Sequence, residues 1–142
     1  MNREDWHMSL NAYQKVSERA ESPSSTEYRL FAQVTRALID AKTSGAEAFA
    51  VVAEAVDWNR RVWAAMALDC AQADNGLPDS LRAGIISLSL FIGRHSSVAV
   101  RDIDEIDILV DLNKTIMQGL VDQQRFIAQN ANQNAGMVAQ SA

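Results

Sequence analysis

The sequence predicts an all-α protein, an antiparallel bundle of about five helices. Three observations carry that expectation. Alanine occurs 22 times in 142 residues, against six glycines and two prolines, a balance that favours helices over a turn-rich β-sandwich. Apolar residues return every three or four positions along most of the chain, the period of one helical face. The length fits one ordinary domain, and a chain of this size buries roughly two-thirds of its unfolded surface without staples.

Residues 1–8 read as an N-terminal extension, residues 9–120 as the bundle, and residues 121–142 as a polar tail. Met8 is the expected natural start, with the first seven residues an upstream start or an expression scar. Leu10, Tyr13, Val16 and Ala20 form the stripe of a first helix. Ser22-Pro23-Ser24-Ser25 breaks it, because Pro23 disfavours helical geometry at Ser22. Ser24 or Ser25 then caps a helix from about Thr26 to Thr43, with Glu27 placed for a capping box. Its inner face is Leu30, Val34, Ala37, Leu38 and Ala41, widened by Phe31, and Thr43-Ser44-Gly45 ends it.

Residues 46–74 read as one long helix or two stacked ones, with Asp57 as a candidate internal cap. Phe49, Val52, Ala53 and Val56 make its first stripe, and Val62, Met66 and Cys70 continue inward. Asn75-Gly76 stops the helix, since both residues tolerate the left-handed conformation. Pro78 suits the first turn of the next one. Residues 85–92 alone resemble an alternating strand, but Leu81, Ile85, Leu88 and Ile92 keep helical spacing. This segment is apolar on nearly every side and is expected to be the buried central helix. Ser96-Ser97 marks a candidate kink or end. The last stripe, Ile103, Ile106, Val110, Met117 and Leu120, encloses Asn113 and approaches a heptad seam. Beyond it, eight of the last twenty residues are Asn or Gln, the composition of a fraying helix leading into disorder.

The formal charge is −5, the wrong sign for direct nucleic-acid binding through phosphates. A single cysteine and two histidines leave no disulfide framework and no metal centre. No run of 18 apolar residues spans a membrane, and the first residues are too polar for a secretory signal, so the cytoplasm is expected. Cys70 reads as a buried apolar residue on the Met66 stripe. Arg94-His95-Ser96-Ser97 carries catalytic residue types, but neighbours on a helix do not face each other. It reads as a polar helix end or, alternatively, a partner contact. The run Asp102, Asp104, Glu105, Asp107 and Asp111 lacks the glycine and terminal carboxylate of a calcium loop. No phosphate loop, dinucleotide fingerprint, zinc motif or nucleophile elbow is present, so neither an enzyme nor a cofactor is expected.

Trp58-Asn59-Arg60-Arg61-Val62-Trp63 is the densest feature. Tryptophan and arginine dominate interface hot spots, although two core aromatics explain the same residues. The tryptophans lie about 140° apart on a helix, so one can face inward and the other outward. Trp58, Arg60, Arg61 and Trp63 are the candidate partner-binding residues, with Tyr28, Arg29 and Phe31 as lesser candidates.

These stretches resemble the FlaF family, flagellin-biosynthesis regulators of α-proteobacteria. The resemblance is carried by Asn11-Ala12-Tyr13, Glu27-Tyr28-Arg29-Leu30-Phe31, Val34-Thr35-Arg36-Ala37-Leu38 and Trp58–Trp63. It continues through Asp69-Cys70, Asn75-Gly76-Leu77-Pro78, residues 81–91 and Arg94-His95-Ser96-Ser97. Pro23-Ser24 stands where the family pattern has Pro-Arg, and residues 1–8 and the Asn/Gln-rich tail lie outside it. The resemblance implies a cytoplasmic, non-membrane factor for flagellin production and export, with flagellin as partner and FlbT as a second one. The order of helices is also similar to that of FliS-type flagellin export chaperones. Two functions follow: a flagellin-binding secretion chaperone or regulator, and alternatively a post-transcriptional regulator acting with FlbT or flagellin messenger RNA.

Overall fold

The structure, a computed structural model, describes residues 23–45 and 47–141. Four α-helices fill most of this length: α1 (Pro23–Ser44), α2 (Phe49–Cys70), α3 (Asp79–Ala99) and α4 (Ile106–Ser141). A 3-10 turn, Ile103–Glu105, leads into α4, and there is no strand among the described residues. The expected first helix around Leu10–Ala20 and the extension at residues 1–8 lie outside the described residues.

The chain forms two compact units. The larger is Leu30–Gly119; the other joins Met1–Arg29 to Leu120–Ala142. In the second, the Ser25 hydroxyl donates to Gln124 Oε1 at 2.9 Å. Here α4 continues as helix to Ser141, and its residues from 124 to 139 are exposed.

Within the larger unit the helices run alternately up and down. Thr35 of α1 meets Asn113 of α4, while Lys42, two turns later, meets Asp107, two turns earlier. The two helices are therefore antiparallel. Leu81 lies 3.6 Å from the position a Cβ would take on Gly119, and His95 meets Glu105, so α3 and α4 are antiparallel as well. Phe31 of α1 packs edge-on against Trp63 of α2 with ring centroids 5.2 Å apart. Gly45 makes the α1–α2 corner with φ +85°, a conformation open to glycine at little cost.

The core follows the predicted stripes closely. Val34, Leu38 and Ala41 are buried on α1, as are Val52, Val56, Val62, Met66 and Cys70 on α2. On α4, Ile106, Val110, Asn113 and Leu120 are buried. Helix boundaries differ from expectation where the backbone had a cheaper option. Pro23 opens α1 ahead of the expected start near Thr26, because its fixed φ and missing N–H suit a first turn, and the break expected before it lies outside the described residues. Ser24 and Ser25 are consequently inside the helix and not its cap. α2 is a single helix, and Asp57 sits within it instead of capping a second piece. Phe49, expected inward, is exposed at its start. α3 passes through Ser96-Ser97 without ending: each hydroxyl bonds back to its own helix, Ser96 to the Ile92 carbonyl and Ser97 to the Arg94 carbonyl.

A polar network crosses this core. Trp63 Nε1–H donates to Asn113 Oδ1 at 2.7 Å. Asn113 Nδ2 donates to Thr35 Oγ1 at 3.0 Å and to Asn59 Oδ1 at 2.8 Å. Thr35 passes its own proton to the Phe31 carbonyl at 2.6 Å. All four side chains are buried. One amide thus joins α1, α2 and α4.

The α2–α3 corner is held by Arg82. Its Nε donates to the Cys70 carbonyl and its Nη2 to the Gln72 carbonyl, each at 2.8 Å. These are acceptors that a helix C-terminus leaves unsatisfied. Asn75 completes the corner, donating to the Asp69 carbonyl and accepting from the Leu77 N–H.

Two predictions follow from this packing. Asn113→Ala removes the shared partner of Trp63, Thr35 and Asn59, and should cost about 2–4 kcal/mol in urea unfolding, given 1–3 kcal/mol per orphaned group with partial relaxation. A loss below about 1 kcal/mol would show that the network does not hold the helices together. Ile85→Ala and Ile92→Ala should each cost about 2–5 kcal/mol, since both side chains are fully buried. Leu88→Ala should cost visibly less, because Leu88 is only half-buried, contrary to its expected place in the core.

Candidate functional site

The seven residues expected to bind a partner separate into distinct environments. Trp63 has 0% and Phe31 1% of its surface exposed. Both rings are core, where an edge-to-face contact and the Trp63–Asn113 bond hold them. The expectation that they touch a partner is corrected for these two: neither ring reaches the surface. Trp58 is half-buried, and Arg60 and Arg61 are exposed. Tyr28 and Arg29 are exposed in the other compact unit.

Helical arithmetic explains the division on α2. At 100° per residue, Val51, Glu54, Trp58, Arg61, Ala65 and Leu68 fall on one stripe. All of these except half-buried Trp58 are exposed. Arg60 lies roughly 200° around the helix from Trp58. Both arginines fold back on one carboxylate: Arg60 Nη2 reaches Asp57 Oδ1 at 2.6 Å and Arg61 Nε reaches Asp57 Oδ2 at 3.0 Å. The Arg60 hydrogen bond, more than any other cause, holds the Asp57 carboxyl below the usual carboxylate range. The stability this contributes is present above the unfolded carboxylate value, about 4, and is lost as pH falls through the lower folded value. Half-exposed, the pair is screened and its contribution is small.

The face that sequence reasoning missed is on α3. That helix was expected to be enclosed on all sides. Its inner face is buried at Ile85, Ile92, Ser96 and Ala99. Its outer face leaves Leu90 65%, Phe91 36% and Val98 40% exposed. Arg94 shares that face, and Arg101 is exposed in the turn just past the helix end. Arg94 has no ion-pair partner among the described residues, and Arg101 Nε donates only to the Ser97 carbonyl at 3.2 Å. Phe91 stacks on His95 with centroids 5.1 Å apart and planes 13° apart. His95 Nε2 in turn lies 3.1 Å from Glu105 Oε2, without the geometry of a hydrogen bond.

The acidic run is dispersed. Asp102 accepts from the Asp104 N–H and starts the 3-10 turn. Asp107 takes a 2.6 Å bond from Lys42, which raises the Lys42 pKa above its ordinary value. No group of three or more His, Cys, Asp or Glu stands within reach of one metal ion among the described residues. No helix described is long and apolar enough to cross a membrane. Cys70 is buried, and its carbonyl, not its thiol, takes the Arg82 bond. What this arrangement offers is area: an apolar helix face with arginines on it, the composition of a contact surface.

No curated protein and no solved structure matches the chain. A family model described as Flagellar protein FlaF matches residues 9–120, well over half of the length. The chain belongs to the FlaF family of flagellar proteins.

Proposed function

We propose that the protein is a cytoplasmic flagellin-binding secretion chaperone and regulator, needed for flagellin synthesis and filament assembly. It works by binding, without catalysis or cofactor. One observation carries the reading: a bundle of a flagellar family keeps a helix face with Leu90, Phe91 and Val98 open to solvent. Unassembled flagellin has amphipathic terminal helices that aggregate or polymerise if left uncovered. A bundle face lined by apolar side chains can cover such a segment in helix-on-helix fashion. A standard interface of about 1,600 Å² is within reach of a chain with 9468 Å² of surface.

The test is calorimetry with purified monomeric flagellin, beside a gel shift with flagellin messenger RNA. Flagellin binding with no RNA shift is the expected result. An RNA shift without flagellin binding would instead favour a post-transcriptional regulator acting on the message or with FlbT.

The arginines of α2 provide a second prediction. Arg60→Ala and Arg61→Ala should each change stability by about 0.5 kcal/mol or less, since both side chains are exposed and each leaves the other on Asp57. Arg61→Ala should weaken flagellin binding by more than about 1 kcal/mol if the Trp58 stripe is a hot spot. Parent-like binding by both variants would remove α2 from the contact surface.

A further inference from the structure

The charge of α3 differs from that of the rest of the chain. Between Asp79 and Asp102 there is no Asp or Glu, while Arg82, Arg94 and Arg101 are present. The whole chain carries −5, so the negative excess lies outside this helix. Arg82 is spent on the α2–α3 corner. Arg94 and Arg101 are not: Arg94 stands on the outer face among Leu90, Phe91 and Val98, and Arg101 is exposed just past the helix end. Phe91 stacks on His95. The face is therefore apolar and basic.

We propose that the outer face of α3 docks an acidic amphipathic helix of a protein partner. Leu90, Phe91 and Val98 cover its apolar side, and Arg94 and Arg101 pair with carboxylates flanking it. Arg94 stands on the helix and Arg101 in the turn that follows its last residue, Ala99, so both lie toward the C-terminal end of the apolar face. Arginine suits the role, because its planar fork binds a carboxylate with two parallel hydrogen bonds. A nucleic acid is disfavoured because the exposed aromatic and aliphatic surface asks for an apolar counterpart, and a membrane because two arginines fall short of the basic cluster that lipid binding needs. The inference names the kind of segment that flagellin binding would use, and rests on that reading for the partner's identity alone.

The test uses the full chain and two synthetic 18-residue amphipathic helical peptides. They share one leucine face; one carries glutamate and the other lysine on its polar face. The glutamate peptide should bind the parent protein, and its affinity should fall as salt is raised. Arg94→Glu should weaken it about tenfold, while Arg36→Glu, the same charge change on an exposed position of α1, should change it less than about twofold. Leu90→Ser should also weaken binding with the melting temperature unchanged, since its side chain is largely in solvent. Equal binding of both peptides, or an affinity indifferent to Arg94→Glu, overturns the proposal. So does a dimer in sedimentation that Arg94→Glu dissociates, because the face would then belong to a second copy, or an RNA gel shift that the same variant abolishes. Flagellin is titrated separately into the same variants. If the parent prefers the glutamate peptide but ignores flagellin, the docking face stands and the flagellin reading fails. If flagellin binds and Arg94→Glu leaves that binding intact, flagellin binding stands and α3 is not its site.

Discussion

The side-chain amide of Asn113 is the constraint on which the bundle depends. An amide placed in an apolar seam costs free energy unless its donors and acceptor find partners. Asn113 finds three, and they come from two other helices. The proton order is continuous: the Trp63 indole gives to Asn113, Asn113 to Thr35, and Thr35 to the Phe31 carbonyl. Sliding α4 by a turn, roughly 5.4 Å, would strand the indole N–H and both amide hydrogens in the core, while sliding α1 would strand one amide hydrogen and sliding α2 the indole N–H and the other. The network therefore selects one register of α1, α2 and α4 from several that apolar packing alone would tolerate. It does so at a cost, since Asn59 Nδ2 is buried without a partner among the described residues. That imbalance marks the network as a device for uniqueness more than for stability, the role a single polar seam residue has in coiled coils.

With three helices locked this way, α3 has less to supply. It buries one face against the others, and Arg82 anchors its first turn to the end of α2. Cys70, Gln72, Asn75 and Arg82 thus form one corner, in which the carbonyls left over by α2 are taken up by a side chain of α3. The rest of α3 is free of packing duty on its outer side. A helix in that position can keep apolar and basic residues facing water without disturbing the core.

Much of the fold was legible because it is periodic. The stripes on α1 and α4 and the lower half of α2 were read from spacing alone, and even Asn113 stood out as polar within a seam. Its partners did not, because Thr35, Asn59 and Trp63 are 78, 54 and 50 residues away and no local pattern pairs them. The two tryptophans were correctly placed on different sides of α2, but which one faced inward required the Phe31 ring. α3 was misread because mean apolarity does not distinguish an enclosed helix from one that exposes an apolar face. A signal was present: Arg94 shares a face with Leu90 and Val98, and a helix buried all round has no side on which to carry an arginine. Boundaries differ at the start of α1, where Pro23 opens the helix in place of a Ser24 or Ser25 cap, and at Ser96-Ser97, whose hydroxyls bond back to α3 itself.

Charge segregation gives the α3 face its directional character. At physiological salt the field of a surface charge fades over about 8 Å. A negatively charged partner meets like charge at α2, at α4 and above all at Asp102, Asp104 and Glu105 in the turn before α4, whereas α1 carries three basic and two acidic residues. On α3 no acid follows Asp79. Repulsion elsewhere then works together with attraction at one face: it does not add affinity, but it removes competing orientations and makes productive encounters a larger share of all encounters. The final affinity must come from the short-range terms, the apolar area of Leu90, Phe91 and Val98 and the fork of Arg94, since these act only once water has been excluded. A segment with apolar residues but basic flanks would satisfy the second condition and fail the first. The acid-free stretch from Ser80 to Arg101 is thus a selectivity element within an acidic protein.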